Sequence, residues 1–183
     1  MKVAVVCSNG KVGKLVVAEA QAAGLEVTGF ARGENKSGAK NFVQKDLFAL
    51  TKDDLAGFDV VVDAFGAWAE PDLPNHSKSL AHLCDLLSGT KTRLIVVGGA
   101  GSLYVNKEHT AQVMDGESFP DAFKPLASAQ GKALSELRKR DDVQWTFISP
   151  GESIISYADY AAALVEEIVK GKHIKERISL VRA

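Results

Sequence analysis

Residues 1–23 read MKVAVVCSNGKVGKLVVAEAQAA. Lys2 to Val6 is a short apolar run rich in valine, the pattern of a strand covered on both faces. Ser8-Asn9-Gly10 interrupts it. Beyond the break, Val12, Leu15, Val16, Ala20 and Ala23 recur at helical spacing, with Lys14 and Glu19 on the opposite face. Gly24 is the expected helix stop, because glycine tolerates the left-handed backbone of a C-terminal cap. The order is therefore buried strand, glycine turn, amphipathic helix. The first amides of a helix lack internal partners and lie at the positive end of its dipole, so a phosphate can sit there if the backbone comes close. Gly10 and Gly13 fall at the second and third positions of a dinucleotide-binding turn, and Cys7 occupies the first. Gly10 leaves space for a pyrophosphate, and Gly13 lets the helix pack on the strand. The same residues are compatible with a tight turn in an α/β protein that binds no nucleotide.

The rest of the chain agrees with an α/β reading. Its 183 residues suit one domain with a sizeable core. A net charge of -1 gives no basic footprint for nucleic acid. Five apolar residues follow Lys2 before Ser8, too few for the core of a secretion signal, and no run is long enough to cross a membrane. Cys7 and Cys84 stand in apolar segments without metal-ligand spacing. They read as buried thiols of a reducing compartment, and the cytoplasm is the expected location.

A second strand, Leu25 to Ala31, leads into Arg32, Gly33, Glu34, Asn35 and Lys36. Dinucleotide enzymes choose their cofactor at this point. A carboxylate favours NAD by binding the adenosine ribose, whereas an arginine pairs with the 2′-phosphate of NADP. Val27 to Arg32 contains no acidic residue, so the sequence prefers NADPH, with NADH open because Glu34 is near. The alternative is a solvated basic loop. Asn41 to Gln44 is a short third strand, and Asp46 after it suits either the adenine amino group or a turn cap. Thr51 caps one helical turn. A fourth strand, Phe58 to Phe65, ends at Gly66. A helix is expected over Pro71 to Leu87, in which His76 and His82 read as surface or satisfied histidines. The fifth strand, Arg93 to Val97, runs into Gly98-Gly99-Ala100-Gly101-Ser102-Leu103, a loop fit for the nicotinamide end of a cofactor or for a flexible turn. Tyr104 to Pro125 reads as a long loop of the kind that forms lids, with a helical turn near Ala122. A helix from Ser128 to Arg140, a strand from Val143 to Ile148, an extended piece from Ser153 to Ser156, a helix from Tyr157 to Val169 and a strand from Arg177 to Val181 complete the pattern. Strands alternating with helices imply a mainly parallel sheet.

Taken together, Ser8-Asn9-Gly10-Lys11-Val12-Gly13, Arg32, Lys45-Asp46-Leu47, Val62-Asp63-Ala64-Phe65-Gly66, the Val97–Leu103 loop and Trp145-Thr146-Phe147-Ile148-Ser149-Pro150 carry a resemblance over the whole chain. It resembles the atypical short-chain dehydrogenase/reductases, and within them the bacterial NADH-flavin reductase group, related to NmrA-like proteins and to biliverdin-IXβ/flavin reductase. The resemblance implies an α/β, Rossmann-type doubly wound fold, with residues 1–183 forming one NAD(P)-binding domain. It implies a pyrophosphate held around Cys7, Asn9, Gly10, Lys11, Val12 and Gly13, and a 2′-phosphate on Arg32. Asp46 and Leu47 would lie at the adenine, and Phe65, Gly66, Gly99, Ala100 and Ser102 along the ribose and nicotinamide.

Two departures bear on activity. Short-chain dehydrogenases place a tyrosine four residues before a lysine, and here Ser128 stands before Lys132. Relatives also carry an additional stretch after the Ser-Pro of the sixth strand, where Pro150 is followed at once by Gly151-Glu152-Ser153. The C-terminal substrate region is thus expected to be shortened. The enzyme reading is NADPH-dependent reduction of a flavin (FMN or FAD) or another small planar acceptor, with Ser102 and Lys132 as catalytic candidates and no metal. The alternative is a non-catalytic NADP(H) sensor acting through a protein partner. A monomer or weak homodimer is expected, without nucleic-acid or membrane partners.

Overall fold

A computed structural model describes residues 1–151 and 155–181. Seven strands form one sheet: β1 (Lys2–Val6), β2 (Glu26–Ala31), β3 (Asn41–Gln44), β4 (Val60–Asp63), β5 (Arg93–Val97), β6 (Gln144–Pro150) and β7 (Glu176–Leu180). Their order is β3-β2-β1-β4-β5-β6-β7, and every neighbouring pair is parallel. The described residues form the α-helices α1 (Lys11–Ala22), α2 (Lys52–Leu55), α3 (Asn75–Leu87), α4 (Lys124–Leu137) and α5 (Tyr157–Lys170). The chain winds outward in one direction from β1 and in the other from β4. The strand order reverses between those two, and ligands bind at such a switch point in open α/β sheets.

The apolar strand runs are explained by burial on both faces. Val3 and Val5 of β1 join Val60, Val62 and Ile95 in the layer beneath α1 and α5. Ala4 and Val6 join Val61, Leu94, Val96 and Phe147 in the layer beneath α2, α3 and α4. Adjacent residues thus enter opposite cores, and no face of the central strands is left for water.

Several expected boundaries move. The helix expected from Pro71 begins only at Asn75, because Asp72, Asn75 and His76 first donate to Ala69, Asp72 and Leu73 in successive turns. The helix expected from Ser128 begins at Lys124, since Pro125 sits in its first turn, where a missing N–H costs nothing. The fourth strand is shorter than expected at both ends, and the sixth extends to Pro150. The long loop after Leu103 contains the expected helical turn, at Asp121–Phe123, and a second at Val113–Asp115. Hydrogen bonds from Val113 to Leu103 (2.9 Å) and Met114 to Gly101 (2.9 Å) fasten this loop at its root. Of the extended piece expected at Ser153 to Ser156, residues 153 and 154 lie outside the described residues.

At the amino edge of the sheet, Glu167 is 6 % exposed and bonds Arg93 Nη2 at 2.8 Å and His173 Nδ1 at 2.7 Å. Burial works against its charge, but the hydrogen bonds from His173 and Arg93 prevail and lower its pKa. This network joins α5 to β5 on the edge away from the glycine turn that follows β1.

Candidate cofactor site at the carboxyl edge

The strand ends β1, β2, β4 and β5 bring the expected site residues to one edge. Cys7 takes a left-handed backbone, φ 59, and its carbonyl accepts from the Gly10 amide at 3.0 Å. That reversal aims the chain into α1. A Cβ on Gly13 would stand 2.7 Å from the Cys7 carbonyl oxygen and 2.9 Å from Ser8 Cα, so only glycine permits this approach. Gly10 is the N-cap of α1 with no side-chain cap, and the first turn holds no acidic residue. The positive helix end is therefore free of any internal anion, which fits a pyrophosphate. Lys11 is exposed beside it, while Val12 packs on the core beneath α1 and offers only its backbone.

Asn9 faces sideways. Its Nδ2 donates to the Glu34 carbonyl at 2.8 Å, and its Oδ1 accepts from the Lys36 amide at 2.8 Å. The Arg32 side chain is 85 % exposed, with Nε 3.8 Å from Asp46 Oδ2. Asp46 caps a turn by accepting from Phe48 N at 2.8 Å. The Leu47 side chain is buried in the core, so any contact with an adenine comes from its backbone.

At the end of β4, Asp63 is buried and Oδ1 accepts from the Phe65 amide at 3.0 Å. Burial, opposed by that hydrogen bond, raises its pKa to about 6. The Phe65 ring meets His76 edge-on, and Gly66 is exposed above. His76 bonds the Ala67 carbonyl and His82 the Leu50 carbonyl, so both histidines are satisfied as expected.

Gly98 and Gly101 are required by packing against neighbouring side chains, and Gly99 lies against the end of the Gln130 side chain. A Cβ on Gly98 would lie 2.0 Å from the Phe147 ring, one on Gly99 2.0 Å from Gln130 Oε1, and one on Gly101 2.4 Å from Ala127 Cβ. Helix α4 thus lies directly against the loop, which is tightly packed and not the flexible turn that was the alternative. Beneath it, Arg177 of β7 donates to the Ser102 carbonyl (2.6 Å), Ser102 Oγ (3.1 Å), the Gly99 carbonyl (3.1 Å) and Ser149 Oγ (3.0 Å). Burial lowers its pKa to about 10, so it remains charged at neutral pH. Among the described residues it forms no ion pair with a carboxylate.

The two catalytic candidates are not brought into one pocket. Ser102 is 6 % exposed and accepts from Arg177. Gly131 packs on Ser102, but the next residue, Lys132, is exposed and lines the groove between α3 and α4 with Lys78 and Glu136. Ser128, at the place of the tyrosine, is exposed and contacts Met114 Sδ. Sequence reading missed Arg177 and Gln130. A basic residue beside Ile178 and Leu180 in the last strand was the one signal for Arg177.

Comparison with known proteins agrees with this geometry. The profile of a family described as NAD(P)H-binding matches residues 8–173. An uncharacterized protein of Bacillus subtilis, YwnB, is 37 % identical over 210 aligned positions, covering 99 % of this chain and 98 % of the relative. The alignment exceeds this chain's 183 residues, so YwnB holds residues this chain lacks. The crystal structure of SP1627 from Streptococcus pneumoniae, described as a candidate NADH-flavin reductase, superposes with a TM-score of 0.94 at 49 % identity, covering 98 % of each chain. The Lmo0794 protein of Listeria monocytogenes gives 0.78 at 34 % identity, covering 100 % of each.

Proposed function

Since the chain belongs to the NAD(P)H-binding family whose profile spans residues 8–173, we propose that it is an NADPH-dependent reductase of a flavin or another small planar acceptor. The observation that carries this reading is the pairing of two anion sites on adjacent strand ends. The uncapped start of α1 receives a pyrophosphate, and Arg32, extended into water beside it, receives the 2′-phosphate. The relatedness to SP1627 supports a flavin as acceptor.

A bound reduced nicotinamide supplies the hydride. The protein's own work is alignment, a proximity effect. Gly10 to Gly13 fix the diphosphate. Phe65, Gly66 and the loop from Gly99 to Ser102 border the ring end, and Arg177 keeps that loop in shape. The expected tyrosine is absent, and a serine hydroxyl is too weak an acid to replace it. An acceptor that draws its proton from water, as a flavin does, therefore fits better than a carbonyl. A reducing cytoplasm suits both the cofactor and the free thiols Cys7 and Cys84.

The test follows loss of NADPH absorbance with and without FMN, with Gly13→Trp as control because its side chain must collide with the Cys7 carbonyl. Oxidation that requires FMN, saturates and vanishes in the variant supports the reductase. NADPH binding without FMN-dependent oxidation supports a sensor. Ser128 in the place of the expected tyrosine favours that second reading.

A further inference from the structure

We infer that Asn9 is a specificity-positioning residue: it sets the distance between the pyrophosphate turn and the loop that carries Arg32, and so sets the preference for a 2′-phosphorylated dinucleotide. This rests on the NADPH reading above. The turn and the loop are separate in sequence, and the Asn9 side chain joins them. The Asn9 carboxamide spans both groups of a peptide segment, giving a hydrogen bond to the Glu34 carbonyl and taking one from the Lys36 amide, each at 2.8 Å. It thus binds the backbone as a neighbouring strand would, at a place where β2 has ended and no ladder continues.

The loop has need of such a hold. Gly33, Glu34, Asn35 and Lys36 are all exposed and lie outside helix and strand. The Arg32 carbonyl is held on the other side by Gln44 Nε2 at 3.1 Å. Asn35 and Ser37 bond each other and Ala39, which closes the far end of the loop. Asn9 is the tie from the phosphate turn itself, while Gln21 of α1 holds the far end of the loop by donating to the Gly38 carbonyl at 3.2 Å and accepting from the Lys40 amide at 2.9 Å. Ser8, one residue before Asn9, reinforces its tie by donating through N and Oγ to the Phe30 carbonyl at 3.0 and 3.3 Å.

A dinucleotide phosphate presents its diphosphate and its 2′-phosphate at a separation fixed by one ribose. Two protein cation sites serve it together only if their own separation is fixed. The Arg32 side chain lies 3.8 Å from its nearest carboxylate and is 85 % exposed, so its backbone anchor, and not a side-chain partner, limits where the guanidinium can go. Asn9 supplies that anchor without touching the 2′-phosphate itself.

The test measures dissociation constants of NADP⁺ and NAD⁺ by calorimetry for the full chain, for Asn9→Ala, Arg32→Ala and the double variant. Wild type is expected to prefer NADP⁺. Asn9→Ala should reduce that preference about tenfold, the loss of one to two ordinary hydrogen bonds. In the Arg32→Ala background the same change should leave the NADP⁺:NAD⁺ ratio unaltered, because Asn9 acts through Arg32. Asn9→Ser, which shortens the tie without removing its polarity, covers a failure of Asn9→Ala to fold and should fall between wild type and alanine. Equal losses for both cofactors, or an additive double variant, overturn the inference while leaving the NADPH reading intact if Arg32→Ala alone reduces the preference. A wild type with no preference, unchanged in Arg32→Ala, overturns both.

Discussion

Replacing Asp63 by asparagine should stabilise the protein, and only where the aspartate is ionised. Asp63 is buried at the end of β4 among Leu80, Val96 and Phe147, beside a cavity that it shares with His76, Ser79 and Gln130. Its one protein hydrogen bond comes from the Phe65 amide. An ordinary aspartate has a pKa of 3.8, and burial lifts this one to about 6. At 1.36 kcal/mol per pKa unit, keeping the ionised form in the fold costs about 3 kcal/mol. The sign follows from the direction of the shift. Below pH 3.8 the carboxyl is neutral in both folded and unfolded chains, and no cost arises. The cost grows as pH rises toward about 6 and is constant beyond. Asparagine keeps the oxygen that Phe65 needs and carries no charge at any pH. Urea unfolding of wild type and Asp63→Asn across the acid to alkaline range measures the difference. The expected result is near-equal stability in acid and a variant more stable by up to about 3 kcal/mol in mild alkali. A variant no more stable than wild type in alkali, or equally favoured in acid, refutes the assignment of a strained buried carboxylate.

Other expectations concern the ends of the sheet. Arg177→Met removes four hydrogen bonds to the Gly99–Ser102 loop and Ser149. It should cost about 2 kcal/mol and speed amide exchange in the loop while leaving α1 unchanged; unchanged loop exchange would show that something else holds it. Glu167→Ala leaves Arg93, 14 % exposed, without its carboxylate. It should cost about 3 kcal/mol near neutrality. Because the Glu167 pKa is lowered, wild type holds this advantage above the ordinary glutamate range and loses it as pH falls through the lowered value. The two proteins should therefore converge in denaturation experiments run in acid, and a constant gap would count against the ion pair.

Local features of the fold were legible because they depend on neighbours in sequence. β1, β3 and β5 match the expected ranges to the residue. Thr51 and Asp54 cap each other reciprocally, as the Thr-x-x-Asp spacing suggests. Proline was harder to place, since it punctuates a loop at Pro71 yet opens a helix at Pro125. The glycine turn after β1 was likewise readable, because its glycines answer to Cys7 and Ser8 beside them. The ring end was not. Gly98 and Gly99 look like flexibility in the sequence, but their neighbours Phe147 and Gln130 come from other elements. Arg177 reaches Ser102 across 75 residues, a pairing no local pattern announces.

That long reach gives the two halves of the site different histories during synthesis. The Asn9 tie spans 25 and 27 residues, so both of its partners are made early in the chain. The ring half waits for Arg177, made long after the loop that it braces. A nascent chain stalled between β5 and β7 would thus carry both sides of the Asn9 tie but not the arginine that braces the glycine loop.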